Sequence, residues 1–190
     1  LRRYIQRENL LSGLIVAFFT FFIALVISLG SEALVRAVNS VILAIILLFL
    51  VIFTGICFDI VGTAATAADL PPFNAKAAKK VPGAKQAVKL IRNADIVANF
   101  CNDVVGDVAG TLSGAIGAGI VISLVDVLDL TNTVLLGALM TSFIAALTVG
   151  GKAVGKSIAL SHADNIIFRV ALIINWWERI TGLELFSNRR

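Results

Sequence analysis

The chain has 190 residues, of which 58% are apolar and only 15% charged, and its formal net charge is +4 at pH 7. A soluble domain carries roughly 45–50% apolar and about 25% charged residues, so this composition excludes a water-solvated globule and points to a chain whose outer surface is solvated by lipid. The length fits one compact membrane unit without a second folded domain, and the two cysteines, Cys57 and Cys101, lie inside apolar runs, where they read as small buried thiols and not as a disulfide framework.

A membrane-crossing helix needs about 20 mostly apolar residues. Residues 11–29 form the first candidate span, without a charge and without a small-residue cleavage site, so they read as a retained span and not as a signal peptide. Residues 41–68 form the second, interrupted only by Asp59. The Asp69-Leu-Pro-Pro72 sequence then stops the helix, because proline lacks an N–H and restricts the residue before it. Residues 73–99 are alanine-rich and basic, with Pro82-Gly83 in their middle, and predict two short helices joined by a turn, too polar to cross. The third span, residues 100–125, is rich in glycine and carries Asp103 and Asp107; the fourth, residues 133–150, ends at Gly150-Gly151. Residues 166–186 are broken by Arg169, Glu178 and Arg179 and contain Trp176-Trp177, a pattern that predicts an amphipathic helix lying in the interface. The expected fold is therefore all-α: a polytopic membrane protein of about four spans, a cytoplasmic helix-turn-helix and a C-terminal interfacial helix.

Lysine and arginine orient this arrangement. Of the 16 such residues, all but Arg36 fall before the first span, between the second and third, or after the fourth. With four spans these three regions share one side, which the positive-inside rule makes cytoplasmic, with both termini there. A multi-pass protein of the plasma or bacterial inner membrane is expected. The positive charge then reflects anchoring to anionic lipid, and no nucleic-acid motif accompanies it. The sequence holds one histidine, His162, in a polar stretch. With no Ser/His/Asp set, phosphate-binding glycine loop or Cys/His metal spacing, no enzymatic function is expected.

The informative residues are polar groups in costly places. A carboxylate at mid-bilayer costs about 2.5–3.5 kcal/mol on insertion scales. Asp59 lies deep in the second span; Asn99, Asp103 and Asp107 recur every four residues and share a helix face, with Asn102 beside it. A hard cation with oxygen ligands, such as magnesium, is one reason to gather Asp59, Asn102, Asp103 and Asp107 in a membrane. The plainer alternative leaves Asp103 and Asp107 at the cytoplasmic mouth, where they touch water or pair with lysine. Gly106, Gly110 and Gly114 repeat at four-residue spacing and read as a helix-packing stripe, used within this chain or against a second copy. Lys152 and Lys156 follow the fourth span: either both anchor to lipid phosphates, or Lys152 balances charge near the carboxylates.

These residues bring a family into view. Residues 54–64 (Thr-Gly-Ile-Cys-Phe-Asp-Ile-Val-Gly-Thr-Ala), the basic hairpin of residues 75–95, Cys101-Asn102-Asp103-Val-Val and residues 149–159 around Gly150-Gly-Lys-Ala-Val-Gly-Lys156 together resemble the transmembrane domain of the CNNM/CorC family of magnesium transporters. The resemblance covers roughly residues 51–171. It implies a homodimer that carries a divalent cation, magnesium first, with sodium a candidate coupling ion and Asn102 as a ligand. Asp59 stands where that family has a small hydroxyl residue. The family's Glu in the last motif is replaced by Lys152 and its Pro by Gly155, so the charge balance of the site differs. The family's nucleotide-binding modules are not matched in this chain, and nucleotide regulation is not expected. The alternative reading is a non-transporting membrane module that binds a partner or senses an ion through the same fold.

Overall fold

The computed structural model describes residues 13–15, 17–26, 28–29, 40–128 and 133–184. Its elements are α1 (Gly13–Val26), α2 (Val41–Ala67), α3 (Leu70–Ala78), α4 (Ala84–Arg92), α5 (Ala94–Ala98), a π-helical segment (Asn99–Val105), α6 (Gly106–Leu128), α7 (Thr133–Ser161) and α8 (Ala163–Thr181). No strand occurs among the described residues. Three helical runs are long and apolar enough to cross a membrane: Val41–Ala67, Ala94–Val125 and Thr133–Ser161. The protein is an all-α membrane protein. The first span expected from sequence, residues 11–29, lies partly outside the described residues, and its described part is the apolar helix α1.

Two helices are longer than the composition suggests. The third span starts upstream of residue 100, because α5 runs through the π segment into α6 without a break. The fourth does not end at Gly150: α7 continues through Gly150-Gly151 to Ser161. Glycine weakens a helix chiefly by exposing backbone and by its conformational freedom. At Gly151 and Gly155 the missing side chains are replaced by Ile56 and Ile60 of α2, which occupy the space a Cβ would need.

The chain divides into two compact units, one within residues 1–51 and 108–144, the other within 52–107 and 145–190. In the first, Ala44 and Leu48 on α2 and Val108, Leu112, Ile116 and Ile120 on α6 are buried at four-residue spacing. Gly117 of α6 seats Ile144 and Met140 of α7 where a side chain would collide. Ser113 is fully buried, and its hydroxyl donates to the Ala109 carbonyl at 2.7 Å, so it needs no partner from another helix. The outward residues, among them Phe18, Phe22, Ile42, Leu50, Val134 and Phe143, are large, apolar and exposed, the surface a bilayer solvates.

The second unit is built on the amphipathic hairpin and α8. Helix α2 stops at Ala67, and Pro71-Pro72 fall in the first turn of α3, where a missing N–H costs nothing. The corner is tied to α8 by the Asp69 N–H, which donates to the Asp164 carboxylate at 3.0 Å. Gly83, with φ +79°, makes the turn into α4, and Leu172 of α8 lies against it. Phe73, Ala87, Leu90, Ala159, Ile167 and Ala171 form one buried cluster with Ala64 and Ala65 of α2. Lys76 covers its edge, with its ammonium 4.5 Å from the Phe168 ring centre. Gln86 donates to Glu178 at 2.8 Å, and Lys89 to Glu184 at 2.9 Å, joining α4 to α8 and the residues after it. With Ile167 and Ala171 turned inward, α8 leaves Ile173, Trp176, Trp177 and Ile180 exposed, a second apolar face of the kind an interfacial helix presents to lipid.

Two outcomes test this packing. Phe73→Ala removes a wholly buried ring and is expected to cost about 3–5 kcal/mol, read as a lowered midpoint in thermal unfolding of the detergent-solubilised chain. The Lys89 hydrogen bond and charge hold the Glu184 carboxyl below its usual range. A depressed carboxyl contributes stability above its unfolded value and loses it as pH falls through the folded one. In an NMR titration the Glu184 carboxyl is expected to titrate low, and Lys89→Met to raise it toward the ordinary range.

Candidate functional site

Asp59 is the only ionisable side chain in α2 except for the thiol of Cys57. It is 3% exposed. Lys152 reaches it from α7, with Nζ 3.7 Å from Asp59 Oδ1. A charge-assisted N–H···O bond is about 2.7–2.9 Å long, so the two charges face each other across a gap that no strong hydrogen bond closes. Asp59 Oδ2 is buried and has no hydrogen-bond partner. An ionised carboxylate offers about four acceptor positions, and among the described residues no donor reaches Asp59 Oδ2.

Glycine brings the helices this close. Gly151 and Gly155 bracket Lys152 on α7 and lie against Ile56 and Ile60, so the two backbones approach around Asp59. One turn further along α2, Gly62 lies directly against the Asn102 side-chain oxygen, and the position a Cβ would take is 3.0 Å from Cys101 Cβ. Asn102 sits in the π segment. Its Oδ1 is buried and, like Asp59 Oδ2, lacks a hydrogen-bond partner. The π turn is visible in the Gly106 N–H, which donates back to the carbonyls of Cys101 and Asp103. Such insertions widen a helix and recur where function needs an unusual backbone. Gly106 itself makes room for Lys152: a Cβ there would lie 3.2 Å from Nζ.

The structure thus brings Asp59, Asn102, Lys152 and Gly106 into one neighbourhood of the second unit. Asp103 and Asp107 are exposed on the helical rod that carries Asn102, as is Asn99. Among the described residues no three His, Cys, Asp or Glu side chains gather closely enough to hold a metal ion. Gly110 and Gly114 have no described neighbour within 4 Å of where a side chain would start, so the stripe expected from sequence packs only at Gly106. Cys57 and Cys101 are both free thiols, the second buried. His162 is exposed at the start of α8.

Sequence reasoning missed three glycines that shape this site. Gly151 and Gly155 carried a readable signal, the same small-xxx-small spacing noted on α6. Gly62 carried a weaker one, three residues after Asp59 and therefore on its side of the helix. The π segment has no composition signature.

The Gly62–Asn102 contact makes a measurable prediction. Gly62→Ala is expected to lower the thermal midpoint, because its methyl group takes the space of the Asn102 amide. Removing that amide in Gly62→Ala/Asn102→Ala is expected to restore part of the loss, with a coupling of about 0.5–3 kcal/mol in the double-mutant cycle.

A family profile described as "CNNM: Cyclin M transmembrane N-terminal domain" matches residues 45–183. Searches of the curated proteins and of the solved structures returned no match. The matched region takes in α2, the helical hairpin, the π segment, α6, α7 and α8 together with Asp59, Asn102 and Lys152, and the chain belongs to the CNNM family as its transmembrane domain.

Proposed function

We propose that the chain carries a divalent cation, magnesium first, through the membrane past Asp59 and Asn102. The observation that carries this reading is the pair of buried oxygens without donors, Asp59 Oδ2 on α2 and Asn102 Oδ1 on the π segment. Buried polar atoms are almost always partnered, and an oxygen in want of positive charge suits a hard cation. Magnesium keeps several of its waters and binds through one or two carboxylates, so Asp59 with one amide oxygen is a reasonable protein share for cargo that must leave again. A resident ion would call for the larger ligand cluster that is absent among the described residues.

The exposed carboxylates Asp103 and Asp107 take the role of an entrance in this reading, raising the cation concentration beside the rod that carries Asn102. Sodium is the candidate coupling ion. Gly110 and Gly114 offer α6 to a second copy of the chain, and a homodimer is the assembly in which that stripe would be used. The basic hairpin and both termini face the cytoplasm by the charge rule, and the chain performs no chemistry on what it carries.

A second reading has its own support in Lys152. A chain that already holds an ammonium against Asp59 satisfies part of the need for a cation, as expected of a module that senses or binds without transporting.

Flux separates the two. Proteoliposomes containing this chain and a magnesium-sensitive dye are expected to take up magnesium, and Asp59→Asn and Asn102→Ala to slow uptake at least about tenfold, the loss of roughly 1.4 kcal/mol of interaction. Wild-type uptake by Asp59→Asn would sink the site assignment. Magnesium binding without uptake would favour the second reading.

A further inference from the structure

We propose that Lys152 is a tethered cation that occupies the Asp59 site, so that a mobile cation binds only by displacing its ammonium. The inference rests on the cation-site reading above and adds the competitor that sets the affinity of the site. Lys152 Nζ is the charged group facing Asp59, 3.7 Å from Oδ1. It arrives from α7 between two glycines that hold α7 against α2. Its ammonium stands over Gly106, where any larger residue would crowd it. Lys156, one turn further along α7, is exposed, so the pairing with Asp59 is specific to position 152.

The contact is built to be left. At 3.7 Å the ammonium neutralises Asp59 without making the short hydrogen bond that would lock it, and Asp59 Oδ2 and Asn102 Oδ1 keep their acceptor capacity. Lysine is a compact charge on a four-carbon stem with many rotamers, and the Lys152 side chain is 28% exposed against 5% for that of Asp59. The lysine therefore has somewhere to go, and the carboxylate does not. Because the ammonium is tied to the same fold, its effective concentration at Asp59 far exceeds that of any solute ion. A divalent ion brings twice the charge and accepts oxygens from both side chains, which an ammonium cannot do at this distance. With Lys152 in place and a second cation present, two positive charges would share one carboxylate, so binding and departure of the ammonium are linked.

The test uses magnesium chloride on the purified chain in detergent, at ionic strength held constant with choline chloride. The first readout is the magnesium concentration giving half-maximal thermal stabilisation. Lys152→Met and Lys152→Gln are expected to lower that concentration at least about tenfold, Lys152→Arg to leave it near wild type, and Asp59→Asn/Lys152→Met to abolish the response. The second readout needs no variant: acetylation of Lys152 followed by mass spectrometry. Magnesium is expected to increase its labelling in the wild-type chain, while Lys156 labelling stays constant. An unchanged or raised half-maximal concentration in Lys152→Met overturns the proposal. So does unchanged Lys152 labelling in a wild-type chain that magnesium stabilises, and in both cases the cation site at Asp59 survives. If magnesium stabilises neither the wild-type chain nor any folded Lys152 variant, the site reading falls and the proposal with it. If the neutral variants do not fold, the labelling result decides alone.

Discussion

A carboxylate inside a membrane helix must be met by something positive or by donors, and Asp59 is met by very little. Among the described residues its one charged neighbour stands 3.7 Å away, and one of its oxygens has no partner. Other features of the second unit follow from bringing that group under cover. Helix α7 has to come close, which Gly151 and Gly155 permit by accepting Ile56 and Ile60. The rod after α5 has to come close as well, and Gly62 permits it by giving its side-chain volume to Asn102. Bulk at any of these positions would separate the helices and open the carboxylate to whatever surrounds them.

Such proximity is bought with glycine, a residue that would weaken a helix in water by about 1 kcal/mol relative to alanine. In lipid the exchange is different. Apolar side chains gain little by leaving hydrocarbon for protein, and association rests on close van der Waals contact. Long helices with small residues at their crossings are the natural response, and α7 keeps its helical path through Gly150-Gly151 for this reason. The π segment belongs to the same solution. An extra residue in the turn re-aims the chain, so that Cys101 and Val104 are buried and Asn102 meets α2, while Asn99 and Asp103 face outward.

The hairpin and α8 serve the site by fixing where α2 ends and where α7 is heading. Phe73, Leu90 and Ile167 are buried with Ala159 at the end of α7 and Ala64 and Ala65 at the end of α2, so the helix ends bearing Asp59 and Lys152 are held by one core. That core is packed as a soluble protein packs, with polar ties at Asp69–Asp164 and Gln86–Glu178. It differs in this from the lipid-facing lengths of α2 and α7, whose large side chains stand exposed. Stability in this unit thus comes in good part from ordinary apolar burial around Phe73, Leu90 and Ile167.

Composition and periodicity were enough to establish the class of protein, the basic hairpin around Pro82-Gly83, an amphipathic final helix and a carboxylate at Asp59 within an apolar helix, because each depends on local chemistry: the cost of a charge in an apolar run, the φ of a turn, the spacing of one helix face. Spacing also placed Asp103 and Asp107 on a common face, but a face has no direction until it is packed, and tertiary structure turned that one outward and Asn102 inward. Helix ends inside apolar sequence were equally beyond local reading, since whether Gly150-Gly151 breaks a helix depends on what fills the groove they leave. Lys152 is the clearest case. Its sequence neighbours suit a lipid anchor and a counter-charge equally well, and only the close crossing of α7 with α2 sets its ammonium beside a buried carboxylate.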